Sequence, residues 1–546
     1  MPSTPLHKFL ENESKYSQEV FLRQPFNGKW KEWTWKQAGD ESRSMAASLL
    51  ALNIPRGSHI AILSKNCAHW VMADIAIMMA GCVSVPLYAT LSGKAIQPIL
   101  KHSDTKAIFI GKLDDFASQT NGIPSNITRI SFDDYGINET YTWNELIAQH
   151  QPLEPISNPS PTDLFTIIYT SGTTGTSKGV MHTFGNFDTV LNLAIAEVQL
   201  PHRSVLFSYL PMSHIAERIG IELNGIYSAS VISFAESIDT FAANVQEIQP
   251  HVFFAVPRLW GKFREGILKK MPEKKLKLFL SIPVLNNIIR KKIKHALGLS
   301  RATHIYSASA PISVDWLKWF DQLGITILQA LGMTEDCVYA HFERPFAHRF
   351  GSVGKPLTGM HVKITEEGEL RVKSTANTIG YYKEPQLTAE LFDEDGYLKT
   401  GDICEYDHDG FLFVTGRLKD HFKTDKGKYI APTPIETKLL ANTDIENTCV
   451  VGTGIPQPIA LITLSEMGKT KSKEEINESL VHTMNTINPL LEHHEKLEKA
   501  VVMKETWSIE NGLLTPTLKV KRNQVEKIHQ QFYPLWFEKK ENVIWE

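Results

Sequence analysis

Apolar runs of strand length alternate with segments of helix length along most of the chain, and this alternation limits the fold more than any other feature. "SHIAILS" (58–64), "KAIFIG" (106–111), "LFTIIYT" (164–170) and "SVLFSYL" (204–210) are β-branched, aliphatic and aromatic, as strands covered on both faces must be. Such strands separated by helix-length segments predict an α/β fold. "IAIMMAGCVSV" (75–85) is apolar over only half the length of a membrane span, so it reads as a buried helix running into a strand. At roughly 150 residues per domain, the 546 residues have room for more than one domain. Glycine and charge break the pattern at "VTGRLKD" (414–420), and the rest is richer in lysine and glutamate. A boundary is expected there, with a large domain over 1–416 and a small one over 417–546.

Composition narrows the function classes. Hydrophobic residues make up 42%, charged residues 21%, and the net charge is -3, which suits a globular protein and gives no reason to expect a nucleic-acid partner. Five cysteines (67, 82, 337, 404 and 449) are far apart with no CxxC pair, so they read as reduced core thiols, with neither a disulfide framework nor a zinc site. The opening residues are polar and acidic without a long apolar run, which predicts a cytoplasmic location. One stretch is different. Between Lys262 and Lys294 eleven Lys/Arg face two Glu, a local charge of +9, around the apolar "LKLFLSIPVL". That mixture suits peripheral contact with an anionic membrane, and equally a solvated helical excursion.

The chemistry is concentrated in "YTSGTTGTSKGVMHT" (169–183). A Walker loop requires G-x-x-x-x-G-K-[ST], but counting from Gly172 places Ser177 at the second glycine, and Gly179 follows Lys178. The Walker reading fails. What survives is a phosphate cradle: glycines admit backbone N–H groups to a polyphosphate, hydroxyls add donors and Lys178 adds charge.

The ordered series "TSGTTGTSKG", "LPMSHIAER" (210–218), "LGMTED" (331–336), "YLKTGD" (397–402), "GRLKD" (416–420) and "NGLLTPTLKVKR" (511–522) resembles the AMP-forming acyl-CoA synthetases of the adenylate-forming superfamily. "VPLYATLS", "FFAVPRLW", "GKYIAPTPIE" and "GIPQPIALITL" look most like the long-chain fatty acyl branch. The resemblance implies the adenylate-forming fold: a large N-terminal domain of α/β subdomains and a small, mobile α+β C-terminal domain. It also implies a reaction in two halves. A carboxylate attacks the α-phosphorus of ATP to give acyl-AMP and pyrophosphate, then the thiol of coenzyme A takes the acyl group and AMP leaves. The substrate class is a medium- to long-chain fatty acid; delivery to a carrier protein or another acceptor is the alternative enzyme, and a silent nucleotide- or lipid-binding module the alternative of another class.

The same resemblance assigns roles. Thr170, Ser171, Gly172, Thr173, Thr174, Gly175 and Lys178 would grip the departing phosphates. Glu335 would ligate Mg2+ and Thr334 bond the α-phosphate; Asp402 would accept the ribose hydroxyls with Arg417 reaching ribose or phosphate. Ser309, Ala310 and Pro311 of "SASAPIS", with Gln329, Ala330, Leu331 and Gly332, would surround the adenine. Leu331 departs from the aromatic residue usual before that glycine, leaving apolar contact without a π face. His214 would stand near the reacting carboxylate, and the small Ala308 and Gly332 would leave room for the acyl chain, so enlarging residue 332 is expected to favour shorter acids. Lys419 would be the hinge, Gly427 and Lys428 would border the pantetheine path after rotation, and Lys519 would bridge carboxylate and α-phosphate during adenylation.

Overall fold

The computed structural model describes residues 4–156, 158–171, 177–515 and 517–546. Two large mixed sheets form the body. In the first, the strands Leu164–Ser171, Val83–Leu87, His59–Leu63, Ala107–Ile110, Thr128–Ser131 and Tyr141–Thr142 run parallel in that spatial order. In the second, Leu328–Leu331, His304–Ser307, Val252–Ala255, Val205–Ser208, Val231–Phe234 and Val20–Phe26 are likewise parallel. The four apolar runs that predicted this architecture are each a strand. The helix Ala68–Met79 is buried along its whole length and leads into Val83–Leu87, so the short apolar segment is core.

One buried cation ties the two sheets together. Arg218 reaches Asp74 at 2.5 Å, Glu222 at 3.2 Å and the hydroxyl of Thr166 at 2.7 Å, between the rings of Trp70 and Phe165. Two buried acids share one guanidinium. Burial and the neighbouring Asp74 push the Glu222 pKa up, and the Arg218 charge opposes that rise.

A third, antiparallel sheet of His361–Ile364, Glu369–Lys373, Leu398–Tyr406 and Leu412–Arg417 follows. After it comes a small α+β unit whose sheet is Ile445–Val451, Ile459–Leu464, Lys499–Val502 and Val543–Trp545, with helices Pro432–Leu439, Lys473–Ile487 and Arg522–His529 packed on it. Its core is its own. All five cysteines are buried and unbridged, as expected. The basic stretch forms the helices Pro257–Lys270, Glu273–Ser281 and Pro283–Ala296, with Leu278, Val284 and Ile288 exposed. Among the described residues no helix is long and apolar enough to cross a membrane.

Candidate active site

A cleft of about 2130 Å³ opens at the carboxyl ends of the parallel strands and is closed on its far side by the antiparallel sheet and the small domain. Open α/β sheets place their ligands at those strand ends. Each wall carries one group of residues singled out in the sequence.

On the phosphate wall, Leu164–Ser171 pairs antiparallel with Ser177–Thr183, setting Thr170 opposite Lys178. The phosphate motif therefore joins two paired strands. Gly172, Thr173, Thr174 and Gly175, and the side chain of Ser171, lie outside the described residues. The Lys178 ammonium sits 4.9 Å from the centre of the Tyr381 ring, and the Tyr381 hydroxyl donates to Glu335 Oε1 at 2.8 Å. Burial raises the pKa of Glu335, and the Tyr381 bond with the Lys178 and Arg417 charges opposes that rise.

Thr334 and Glu335 occupy a single 3-10 turn, Thr334–Asp336. Two left-handed residues follow it, Cys337 at φ 56° and Val338 at φ 54°, a rare conformation for a β-branched side chain and a local store of strain. The reversal brings the Val338 Cα to 2.4 Å from where a Cβ on Gly332 would be. This changes the reading of Gly332. The residue borders the cleft, but its missing side chain makes room for backbone, so a larger residue there displaces the turn before it shortens an acyl channel. The turn is held from behind by His182, whose Nε2–H donates to the Thr334 carbonyl at 2.7 Å. Burial drops the His182 pKa to about 4, so the ring is neutral, and its Nδ1 lies 3.3 Å from the Cys337 sulfur.

Asp402 and Arg417 are cross-strand partners on the antiparallel sheet, with Arg417 Nε donating to Asp402 Oδ1 at 2.8 Å. Burial raises the Asp402 pKa; Arg417 and, from the small domain, Lys519 lower it. A second effect of Lys519 appears at His214. Burial and then the Lys519 charge bring the His214 pKa to about 4. His214 caps the short helix Ile215–Glu217 by accepting the Ala216 N–H on Nδ1 at 3.2 Å, which fixes the neutral tautomer with its proton on Nε2. Lys519 is open to cleft water, yet the protein crowded around its ammonium and the neighbouring Arg417 charge pull its pKa down to about 8. It lies in a tight turn where Thr515 N donates to the Lys519 carbonyl at 2.8 Å and Lys519 N to Thr515 Oγ1 at 3.0 Å.

Ser309 (φ 74°) turns the chain after His304–Ser307, leaving Ala310 and Pro311 exposed in the cleft. Leu331 and Ala330 end the neighbouring strand on the same wall. Gln329 is committed elsewhere. Its Nε2 donates to the Ser352 carbonyl at 2.6 Å and its N to Glu343 at 2.9 Å, so it braces the strand end. Ala308 is buried and follows Ser307, the register partner of Ala255, so it lies next to Val256; the apolar Ile215 and Tyr88 line the same cleft. Lys419, in the turn Leu418–Asp420, borders the cleft where the small domain begins. Gly427 and Lys428 are exposed on the small domain, and neither is among the residues lining the cleft. Of the candidates whose side chains are described, the structure thus brings all but these two to one cleft. Tyr381 lines the cleft with them without having been expected, and His182 and Thr378 support the turn from outside the cleft lining by bonds to the Thr334 and Glu335 carbonyls: "TIGYYKE" resembles no chemical motif, and His182 reads as an ordinary strand residue.

The profile described as AMP-binding enzyme matches residues 9–382, and that of the AMP-binding enzyme C-terminal domain matches 420–532. The chain belongs to the AMP-binding enzymes. A long-chain-fatty-acid–CoA ligase of Xenopus laevis is 28% identical over 97% of this chain and 83% of its own. One from Mycobacterium bovis is 27% identical over 94% of each. In fold, the adenylation domain of a carboxylate reductase from Mycobacterium chelonae superposes with a TM-score of 0.82 at 20% identity, covering 98% of this AMP-binding enzyme and 91% of that chain. This last likeness concerns the adenylate-forming fold alone.

Proposed function

We propose that this AMP-binding enzyme activates medium- to long-chain fatty acids with ATP and transfers the acyl group to coenzyme A. One observation carries the reading: Lys519, from the small domain, lines one cleft with His214, Asp402, Arg417, Lys178 and Glu335, near enough to the first three for their charges to act on one another. A nucleotide, its phosphates and a carboxylate fit together there. In the first half-reaction a carboxylate oxygen bonds to the α-phosphorus, the bond from phosphorus to the β-phosphate oxygen breaks, and pyrophosphate leaves toward Lys178. All reacting groups are anionic, so positioned cations dominate the rate. Lys519 neutralises carboxylate and α-phosphate, Asp402 accepts the ribose hydroxyls, and neutral His214 turns its Nε2–H to the acyl carboxylate. In the second half the sulfur of coenzyme A bonds to the acyl carbon, the bond to AMP breaks and the thiol proton is released.

Glu335 is a suitable magnesium ligand. Tyr381 bonds Oε1, no other described side chain is shown hydrogen-bonded to the carboxylate, and among the described residues no cluster of three or more His, Cys, Asp or Glu could hold a metal by itself. A single carboxylate beside a phosphate site is how Mg2+ is usually held, with phosphate oxygens and water completing its shell. When bound, the ion would withdraw charge from the phosphates.

The relatives named for long-chain acids and the apolar residues that line the cleft with Ala308 support a fatty substrate, each buried methylene contributing about 0.8 kcal/mol. We place the domain boundary at 416/417, with Lys419 as hinge, so that rotation brings Gly427 and Lys428 to the coenzyme A path. Reduced, buried cysteines suit a cytoplasmic enzyme. The exposed apolar residues on the basic helices support peripheral docking on anionic lipid, which salt-sensitive sedimentation with liposomes tests. The decisive assay supplies carboxylates of graded chain length and measures AMP release with and without coenzyme A. Release with long acids, accelerated by coenzyme A, is expected; no release with any acid overturns the reading.

A further inference from the structure

Tyr381 stands between the two charged groups of the phosphate wall and touches both. Its ring lies under the Lys178 ammonium at 4.9 Å and its hydroxyl donates to Glu335 Oε1 at 2.8 Å. The side chain is 7% exposed, so it has no freedom to do one without the other.

The backbone explains this double contact. Gly380–Tyr381 is a two-residue strand added to the edge of Ser177–Thr183, pairing Gly380 with Met181 and Tyr381 with Val180. Tyr382 N donates to the Gly179 carbonyl at 2.8 Å. Three residues before Tyr381, Thr378 N donates to the Glu335 carbonyl at 2.6 Å, and Thr378 Oγ1 donates to the Met181 carbonyl at 2.6 Å. The segment 378–382 therefore ties the strand of Lys178 to the turn of Glu335 through both backbone and side chain. The positions of the two functional groups are not independent.

We infer that Tyr381 is the positioning residue of the adenylation step: its hydroxyl orients the Glu335 carboxylate so that one oxygen faces a divalent cation, and its ring holds Lys178 at the polyphosphate. The inference rests on the adenylating function proposed above. An ionised carboxylate has two acceptor oxygens and rotates about its last torsion unless one is held. Fixing Oε1 leaves a single-oxygen ligand with a defined direction, and such supporting bonds are commonly worth about 10- to 100-fold in metal affinity. The ring contributes separately, because a cation over a partly desolvated aromatic face is attracted to it. The hydroxyl and the ring can therefore be removed one at a time.

Tyr381→Phe keeps the ring and loses the hydroxyl; Tyr381→Leu loses both. Binding of Mn2+ to the full-length enzyme with a non-hydrolysable ATP analogue is followed by electron paramagnetic resonance, and metal-free binding of the analogue by calorimetry. We expect the Phe variant to bind Mn2+ about 10-fold or more weakly with metal-free analogue affinity unchanged, and the Leu variant to lose affinity for both. Thioester formation by the Phe variant from pre-formed acyl-AMP should match wild type, as should its melting temperature. Wild-type Mn2+ affinity in the Phe variant overturns the inference, and so does an equal loss of analogue affinity in the two variants. Wild-type enzyme that binds neither analogue nor Mn2+ overturns the adenylating function itself.

Discussion

Arg258 of the large domain and Glu446 of the small domain form an ion pair across the cleft. The side chains are 33% and 11% exposed, and Arg264 and the Trp316 indole both reach the nearby Ala441 carbonyl at 3.4 Å. This contact holds Lys519 in place at a distance, because it docks the domain that carries it.

Glu446→Lys sets two cations against each other. The arrangement with Lys519 inside the cleft becomes less populated, and adenylation should slow roughly fivefold, equivalent to about 1 kcal/mol for a partly exposed pair. Thioester formation from supplied acyl-AMP should not slow. Adding Arg258→Glu restores the pair with reversed sign and should restore the first rate. The check is acid-dependent pyrophosphate exchange for the single and double variants; a double variant as slow as the single one removes the docking role.

Lys519→Ala should lose on the order of 10² to 10³ in adenylation, as when one donor to a developing charge is removed, while using pre-formed acyl-AMP at near wild-type rate. The pH dependence gives a second test. With its pKa lowered to about 8, the ammonium is present below that pH and is lost as pH rises through it, so adenylation should fall on the alkaline side. Lys519→Arg, charged throughout, should have no limb near 8 at any absolute rate. His214, with its pKa near 4, contributes no limb above pH 6. An alkaline limb that persists in the Arg variant would assign it to another group.

Glu335→Ala should weaken activity in a manner that excess Mg2+ partly restores, measured as the metal concentration at half-maximal pyrophosphate release. A variant with unchanged metal dependence would remove Glu335 from the metal site.

At Gly332 even one methyl group conflicts with the backbone of Val338. Gly332→Ala should cost about 1–3 kcal/mol in stability by overpacking and lower activity on short and long acids alike. Thermal denaturation with a chain-length series checks this. Selective retention of short acids would instead mean that residue 332 faces the acyl channel.

Five strands of the two sheets, at 59–63, 83–87, 107–110, 164–171 and 205–208, were legible because each is a short, mostly apolar run, and the site's charged members because they sit in motifs whose order specifies a family; polar strands such as Thr128–Ser131 left no such signal. What escaped was support. Tyr381 acts through one hydroxyl and one ring face, and His182 through a bond to a backbone carbonyl; neither leaves a pattern in residue type or spacing. Gly332 was read for the space it leaves, and the sequence could not tell whether ligand or backbone fills it. Gln329 looked like an adenine neighbour for the same reason, since only its partner Ser352 reveals a bracing role. The ion pair of Arg258 with Glu446 spans 188 positions, a separation at which local reasoning has no purchase.

The bonds described across the cleft converge on two neighbouring acceptors, Glu446 and Ala441, while the turn presenting Lys519 is closed by its own hydrogen bonds. Withdrawing that lysine thus unfolds nothing and severs little. On the proposed rotation, an arrangement held across the cleft by so few described bonds is decided by whichever ligand prefers it. On the proposed reading, formation of acyl-AMP removes the carboxylate charge that draws Lys519 inward, so the product of the first half-reaction acts as the clock for the second, and the protein needs no spring of its own.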